Sequence, residues 1–265
     1  MKPLSSIKNF IIDMDGVLYR GHRPLPGAKE FLQHLEEGEI AYTLVTNNAT
    51  RTPEEYVAIL KEMGIEVSPR RILTSALATA DYLRNILPQG ARLYVIGEEG
   101  LYSALAAQGF EFGEKDVEAV VVGMDRQLTY EKLKTATIAI RQGARFVGTN
   151  PDKSFPAEEV IVPGAGAILA AIEAATGVQP IIIGKPEPIL FQMASQRMEA
   201  TEEETAVIGD RLETDILGGQ RCGLTTILIL TGITKKEGLE ASDIKPHYIF
   251  PDLLHIKKAL SSTGG

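Results

Sequence analysis

A single cysteine, Cys222, rules out an internal disulfide and any metal centre built from several thiolates. Within Gln220-Arg221-Cys222-Gly223-Leu224 it reads as a small buried side chain at a helix end rather than a nucleophile. Histidine is scarce too: His22, His34, His247 and His255 are scattered without metal-ligand spacing and read as surface or core residues. No window approaches the ~20 consecutive apolar residues of a membrane span, and the opening Met1-Lys2-Pro3-Leu4-Ser5-Ser6-Ile7-Lys8 has no apolar signal core. A soluble, unexported, cytoplasmic protein with no membrane partner is expected. Positive charge is in deficit, with 27 Lys and Arg against 35 Asp and Glu and a net charge of −8, which repels polyanions and excludes a nucleic-acid polymer as partner. No Walker lysine loop occurs, and Pro163-Gly164-Ala165-Gly166-Ala167 lacks the third glycine of a dinucleotide loop, so it reads as a hinge or helix start.

What is present suits a globular α/β chain. Hydrophobic residues make up 44% of the 265 positions, enough for one large domain or two modest ones. The apolar runs Phe10-Ile11-Ile12, Tyr42-Thr43-Leu44-Val45, Ile181-Ile182-Ile183 and Ala206-Val207-Ile208 read as buried parallel strands separated by helical patterns. Strand Asn9 to Ile12, helix Ala28 to Glu37 and strand Tyr42 to Val45 form a βαβ unit. Thr52-Pro53-Glu54-Glu55 opens the next helix with an N-cap threonine, a proline at the first helical position and a glutamate three residues after the cap. After Arg71-Ile72-Leu73-Thr74-Ser75 the pattern restarts, with strands at Arg92 to Ile96, Ala119 to Gly123 and Arg145 to Thr149 alternating with helices. From Pro180 it returns to apolar strands followed by polar turns, through Thr225 to Leu230 and Tyr248 to Phe250. The fold class expected is a doubly wound, Rossmann-like parallel sheet interrupted by a second α/β domain. The core takes residues 1–78 and 181–265 and the insertion takes 79–180.

Each of the four runs leads into a chemically loaded turn: Asp13-Met14-Asp15-Gly16, Thr46-Asn47-Asn48, Gly184-Lys185-Pro186 and Gly209-Asp210-Arg211-Leu212-Glu213-Thr214-Asp215. Ligands bind beyond the carboxyl ends of such strands, so these turns are candidates for one crevice. A carboxylate attacks phosphorus to form an aspartyl phosphate, and Asp13 is the candidate nucleophile. Asp15, two residues on, leans to the same side if the chain stays extended, where it can protonate the leaving oxygen and then activate water. Alone, an aspartate pair before glycine is more often a plain turn or an Asx-capped strand end; its partners raise its meaning. Thr46 and Asn47 can hold phosphoryl oxygens with a hydroxyl and amides, or form an ordinary loop. Lys185 can neutralise Asp13 and the phosphoryl group together, or stand as a solvated loop lysine. Asp13 and Asp210 can supply carboxylates to Mg²⁺, without which several carboxylates in one crevice would repel one another and a dianionic substrate. Asp215 either steadies the groups that hold the ion or caps the following helix.

These residues resemble the haloacid dehalogenase (HAD) superfamily of phosphohydrolases, whose four motifs appear in order as Asp13-x-Asp15-Gly16, Thr46, Lys185 and Gly209-Asp210 with Asp215. Thr46-Asn47-Asn48, Val122-Gly123-Met124-Asp125-Arg126-x-x-Thr129-Tyr130, Thr149-Asn150-Pro151-Asp152 and Ile183-Gly184-Lys185-Pro186 are similar to its NagD-like, p-nitrophenylphosphatase branch, over nearly the whole length. The resemblance implies Mg²⁺ held by Asp13, Asp210 and the main-chain carbonyl of Asp15. It also implies phosphate-ester hydrolysis, since Asp15 stands where members with other chemistry lack an aspartate. The long stretch between Thr46 and Lys185 places the insertion there, at the position of a C2-type cap that supplies substrate contacts. Met124, Asp125, Arg126, Asn150 and Asp152 face the leaving group on this view, or are plain strand-end and turn residues. A phosphatase of small-molecule phosphomonoesters is therefore expected, with sugar phosphates, nucleoside monophosphates, phosphoglycolate and pyridoxal phosphate among the candidate substrates. A homodimer through the cap is also implied. The alternatives are a phosphotransferase or mutase of the same superfamily, or a non-catalytic phospholigand-binding protein.

Overall fold

The computed structural model describes residues 3–157 and 160–262. The chain divides into two compact units, one of Met1–Thr46, Tyr56–Leu73 and Lys185–Gly265, the other of Asn47–Glu55 and Thr74–Gly184. A six-stranded sheet centres the first, in the order Tyr248–Phe250, Thr225–Ile229, Thr205–Gly209, Asn9–Asp13, Ala41–Thr46, Ile72–Thr74. Numbered along the chain this is 6-5-4-1-2-3, the doubly wound order. Its direction of winding reverses between Asn9–Asp13 and Thr205–Gly209, which pair in parallel with Ile12 opposite Ile208.

Alternation along the strands loads both faces of this sheet. Phe10, Ile12, Tyr42, Leu44, Ala206, Ile208, Ile227 and Ile229 share one core with Phe31 and Leu35 of helix Ala28–Glu37 and with Leu253 and Ile256 of helix Leu253–Ser262. Phe10 meets Phe31 edge to face, ring centroids 5.9 Å apart. Each leucine, isoleucine or phenylalanine among them, wholly withdrawn from water, contributes roughly 1.5–3 kcal/mol. On the other face Leu228 packs with Leu212 and Ile216. There Gly219 lets the helix Leu217–Arg221 lie so close that an added Cβ would stand 2.8 Å from Thr226 and 3.1 Å from Val207. Cys222 ends this helix half-buried, its thiol pushed up to about 11 by burial and by Glu202, which leaves it a poor nucleophile.

A five-stranded sheet forms the second unit, in the order Ile181–Ile182, Arg145–Gly148, Ala119–Val122, Arg92–Ile96, Glu111–Phe112, all paired in parallel. Tyr94, Ile96, Val120, Val122 and Phe146 pack on Ala136 and Ile140 of helix Tyr130–Arg141 and on Ile168, Leu169 and Ile172 of helix Ala165–Thr176. Thr129 caps the former by accepting a hydrogen bond from the Lys132 amide. An antiparallel hairpin joins Ser154–Ala157 to Val160–Pro163. One expectation from sequence is corrected here: Ile181 and Ile182 do not belong to the six-stranded sheet but pair with Val147 and Gly148 at the edge of this one. Three isoleucines specify an extended apolar segment, not which sheet receives it, and on this edge Ile181 stays 38% exposed. The capping signal at Thr52 appears as a reciprocal pair, the Thr52 amide donating to Glu55 Oε2 at 2.7 Å and the Glu55 amide to Thr52 Oγ1 at 3.3 Å. Among the described residues no helix is long and apolar enough to cross a membrane.

Candidate active site

Parallel pairing at the point of winding reversal puts the ends of Asn9–Asp13 and Thr205–Gly209 side by side, so Asp13 and Asp210 leave the sheet at the same carboxyl end. Thr46 closes the strand on the far side of Asn9–Asp13 and is buried. Lys185 reaches the same place from the segment that follows Gly184, and it is only 3% exposed. Its ammonium donates to Asp13 Oδ1 at 2.6 Å and to Asp215 Oδ1 at 2.7 Å. Asp215 lies in the turn of π-helix Leu212–Ile216 and turns its second oxygen back onto the Arg211 amide at 3.1 Å, so it anchors the lysine and caps the turn at once. Asp15 is exposed, and its carboxylate accepts from the Tyr19 hydroxyl at 3.3 Å. Burial, with Asp15 adding to it, raises the Tyr19 phenol well above its usual value, so it stays a donor. Gly16, at φ +81°, turns the chain away after Asp15, in a conformation that other residues rarely take.

Asp13, Asp210 and Asp215 bring carboxylate oxygens to within 4.8 Å of one another, and among the described residues no histidine or cysteine joins such a cluster. Burial, together with Asp215 and Asp210, raises Asp13 well above the usual carboxylate range against the pull of Lys185. Asp210 is pushed up to about 6, by burial first and by Asp215 next. Burial opposes the Lys185 ammonium, yet Asp13 and Asp215 hold it above lysine's usual value. Negative charge is thus in excess over a single lysine. Asp210 Oδ2 accepts from the Ile233 amide at 2.6 Å, whereas its buried Oδ1 has no hydrogen-bond partner. Leaving such an oxygen unsatisfied costs about 1–3 kcal/mol, more when it is charged. A hard divalent cation, which takes oxygen ligands, satisfies that oxygen and relieves the repulsion, so the residues present fit one.

Within the second unit the structure gathers three more of the residues singled out from sequence. Asn47 donates from Nδ2 to Asp152 Oδ2 at 3.0 Å, while its carbonyl accepts from Asn150 Nδ2 at 2.7 Å and from Ser75 Oγ at 2.6 Å. The small residues Gly164 and Gly166 serve this loop: added Cβ atoms would stand 2.3 Å from the Asp152 carbonyl and 2.2 Å from that of Pro151. Met124, Asp125 and Arg126 leave the neighbouring strand Ala119–Val122. Asp125 is buried and paired with Lys132 at 2.7 Å, and Arg126 reaches Glu98 at 2.5 Å from a largely exposed side chain. Sequence reasoning passed over the loop Thr231–Thr234, although Thr225 to Leu230 is another apolar strand running into a threonine and a glycine. Applied to that strand end, the rule that found the other turns would have found it.

Residues 10–111 match the family model described as haloacid dehalogenase-like hydrolase, and residues 182–256 match one described as HAD-hydrolase-like. The chain is 42% identical over 258 residues to an acid sugar phosphatase of Staphylococcus saprophyticus, an alignment covering 97% of this chain and 99% of that one. It superposes on the crystal structure of 4-nitrophenylphosphatase from Thermotoga maritima with a TM-score of 0.93 at 38% identity, covering 97% of this chain and 98% of that one. A glycerol phosphate phosphatase from Mycobacterium tuberculosis in complex with magnesium matches at a TM-score of 0.87 and 34% identity, over 97% of this chain and 78% of that one. The same enzyme in complex with calcium matches at 0.88, with 34% identity over 96% and 76%.

Proposed function

This chain belongs to the haloacid dehalogenase-like hydrolase family, and from that footing we propose that it is a Mg²⁺-dependent phosphatase of small sugar-type phosphomonoesters, working through a phosphorylated Asp13. The observation that carries the reading is the buried arrangement of Asp13, Lys185 and Asp210, with one oxygen of Asp210 left for a cation. Asp13 attacks the phosphorus and the ester oxygen departs. Asp15, exposed and held by Tyr19, gives that oxygen its proton and then takes one from the water that splits the aspartyl phosphate. Lys185 holds Asp13 in place and offsets charge on the phosphoryl oxygens, and Thr46 and Asn47 supply further donors. Asp13, Asp210 and the carbonyl of Asp15 would hold Mg²⁺, with Asp215 steadying Lys185 beside them. When bound, the ion neutralises the carboxylates and the incoming dianion, so that nucleophile and substrate can approach.

The ester class rests on relatives, one named acid sugar phosphatase and one named glycerol phosphate phosphatase. In the second unit, Asn150, Asp152, Met124, Asp125 and Arg126 are the residues we assign to the leaving group, on the part of the chain we take as the cap. A composition with one unpaired cysteine suits the reducing cytoplasm. Inorganic phosphate released from a panel of sugar phosphates, glycerol phosphates, nucleoside monophosphates and p-nitrophenyl phosphate, with Mg²⁺ and with a chelator, tests the proposal. Release that needs the metal and ranks sugar-type esters first is expected. No release from any ester in water would sink it.

A further inference from the structure

Beyond the strand Thr225–Ile229 the chain turns back over Asp210 and fixes it from several sides. The Ile233 amide donates to Asp210 Oδ2 at 2.6 Å and the Thr234 amide to the Asp210 carbonyl at 3.0 Å. Gly232 lies so close that a Cβ there would stand 1.7 Å from Oδ2, and one at Gly16 would stand 2.4 Å from the same atom. Thr231 donates from its hydroxyl to the Gly16 carbonyl at 2.7 Å, which ties the turn after Asp13 and Asp15 to this loop. Arg20, from the hairpin Tyr19–Arg20 and Arg23–Pro24, donates to the carbonyls of Thr231 at 2.5 Å and Gly232 at 3.2 Å.

We propose that Thr231, Gly232 and Ile233 are positioning residues that engage one oxygen of Asp210, present the other to a divalent cation, and lock the Asp13–Gly16 turn into the same frame, with Arg20 clamping the loop from outside. The proposal rests on the divalent-metal reading above. A bare strand connection needs neither two glycines against one carboxylate nor a hydroxyl reaching past the neighbouring strand Thr205–Gly209 to the turn that follows Asn9–Asp13. With Oδ2 fixed by an amide and walled by Gly16 and Gly232, the carboxylate plane is set, and Oδ1 is aimed before any ion arrives. Such prior orientation of a ligand is worth 10–100-fold in metal affinity in other sites, that is, about one to two powers of ten.

Mn²⁺ binding to the intact protein, without substrate and read as free Mn²⁺ by electron paramagnetic resonance, tests this. Thr231→Val keeps the shape and removes the hydroxyl; its Mn²⁺ dissociation constant is expected to rise about tenfold, and Thr231→Ser to restore it. Arg20→Gln, at an exposed position, is expected to weaken binding in the same direction by less, and it decides the matter if Thr231→Val does not fold. Unchanged Mn²⁺ affinity in these variants overturns the positioning role, whatever happens to thermal stability. Wild-type protein that binds no Mn²⁺ overturns the metal reading and the loop's role with it. Tight binding by the wild type that weakens in both variants upholds the loop even if no ester is hydrolysed.

Discussion

A carboxylate buried beside other carboxylates holds its proton tightly, and in Asp210 that ties folding to pH. Its folded pKa of about 6 lies above the ~3.9 of an unfolded aspartate, so the folded state binds that proton the more strongly. The resulting stability is present in full below pH ~4 and is lost as pH rises through about 6, a fall of roughly 3 kcal/mol without metal. Urea unfolding from pH 4 to 7 in chelator should therefore show a decline that Asp210→Asn lessens, the remainder belonging to Asp13, and that Mg²⁺ suppresses; equal slopes in the two proteins would rule this out. Asp13 carries a different burden. Asp13→Asn takes away the attacking charge and little volume, so turnover should drop at least about a thousandfold while the circular-dichroism melt persists. Activity surviving at a tenth of the wild-type level would mean that another group is the nucleophile.

Short segments at strand ends do most of the positioning, and two glycines separate the effect of close approach from that of helix propensity. Gly232→Ala drives a Cβ into Asp210 and should abolish metal binding together with activity. Gly238, in the helix Lys236–Ala241, has nothing within 4 Å of an added Cβ, so Gly238→Ala should raise stability by about 0.5–1 kcal/mol and leave turnover alone. Calorimetry and phosphate release on the two variants check both outcomes. Strand ends were also what the sequence made readable, because apolar runs that stop at Asp13, Thr46 and Asp210 mark both a parallel sheet and its ligand edge. Sheet membership was not readable at Ile181–Ile182, since pairing with Val147 and Gly148 depends on distant residues that no local pattern names. The hairpin Tyr19–Arg20 and Arg23–Pro24 escaped for another reason: strands of two residues are too short to show alternation. Thr231 was hidden because its role is visible only once Gly16 lies beside it.

Two sheets with separate cores should answer a cation differently. Hydrogen exchange of the full chain with and without Mg²⁺ is expected to gain protection in residues 9–16, 205–217 and 231–234 and to leave Arg92–Ile96, Ala119–Val122 and Arg145–Gly148 unchanged. Equal protection across both sheets would contradict a cation held by Asp13 and Asp210. The winding of the six-stranded sheet also governs how the chain comes off the ribosome. Asn9–Asp13 is made first, but its partner Thr205–Gly209 is made long after it, and even Lys185 stands 172 residues downstream of Asp13. Throughout that interval the first strand offers an unpaired edge, with Ile11 and its neighbours open to sister chains. Translation arrested before residue 205 should accordingly yield insoluble polypeptide rather than a soluble, inactive fragment.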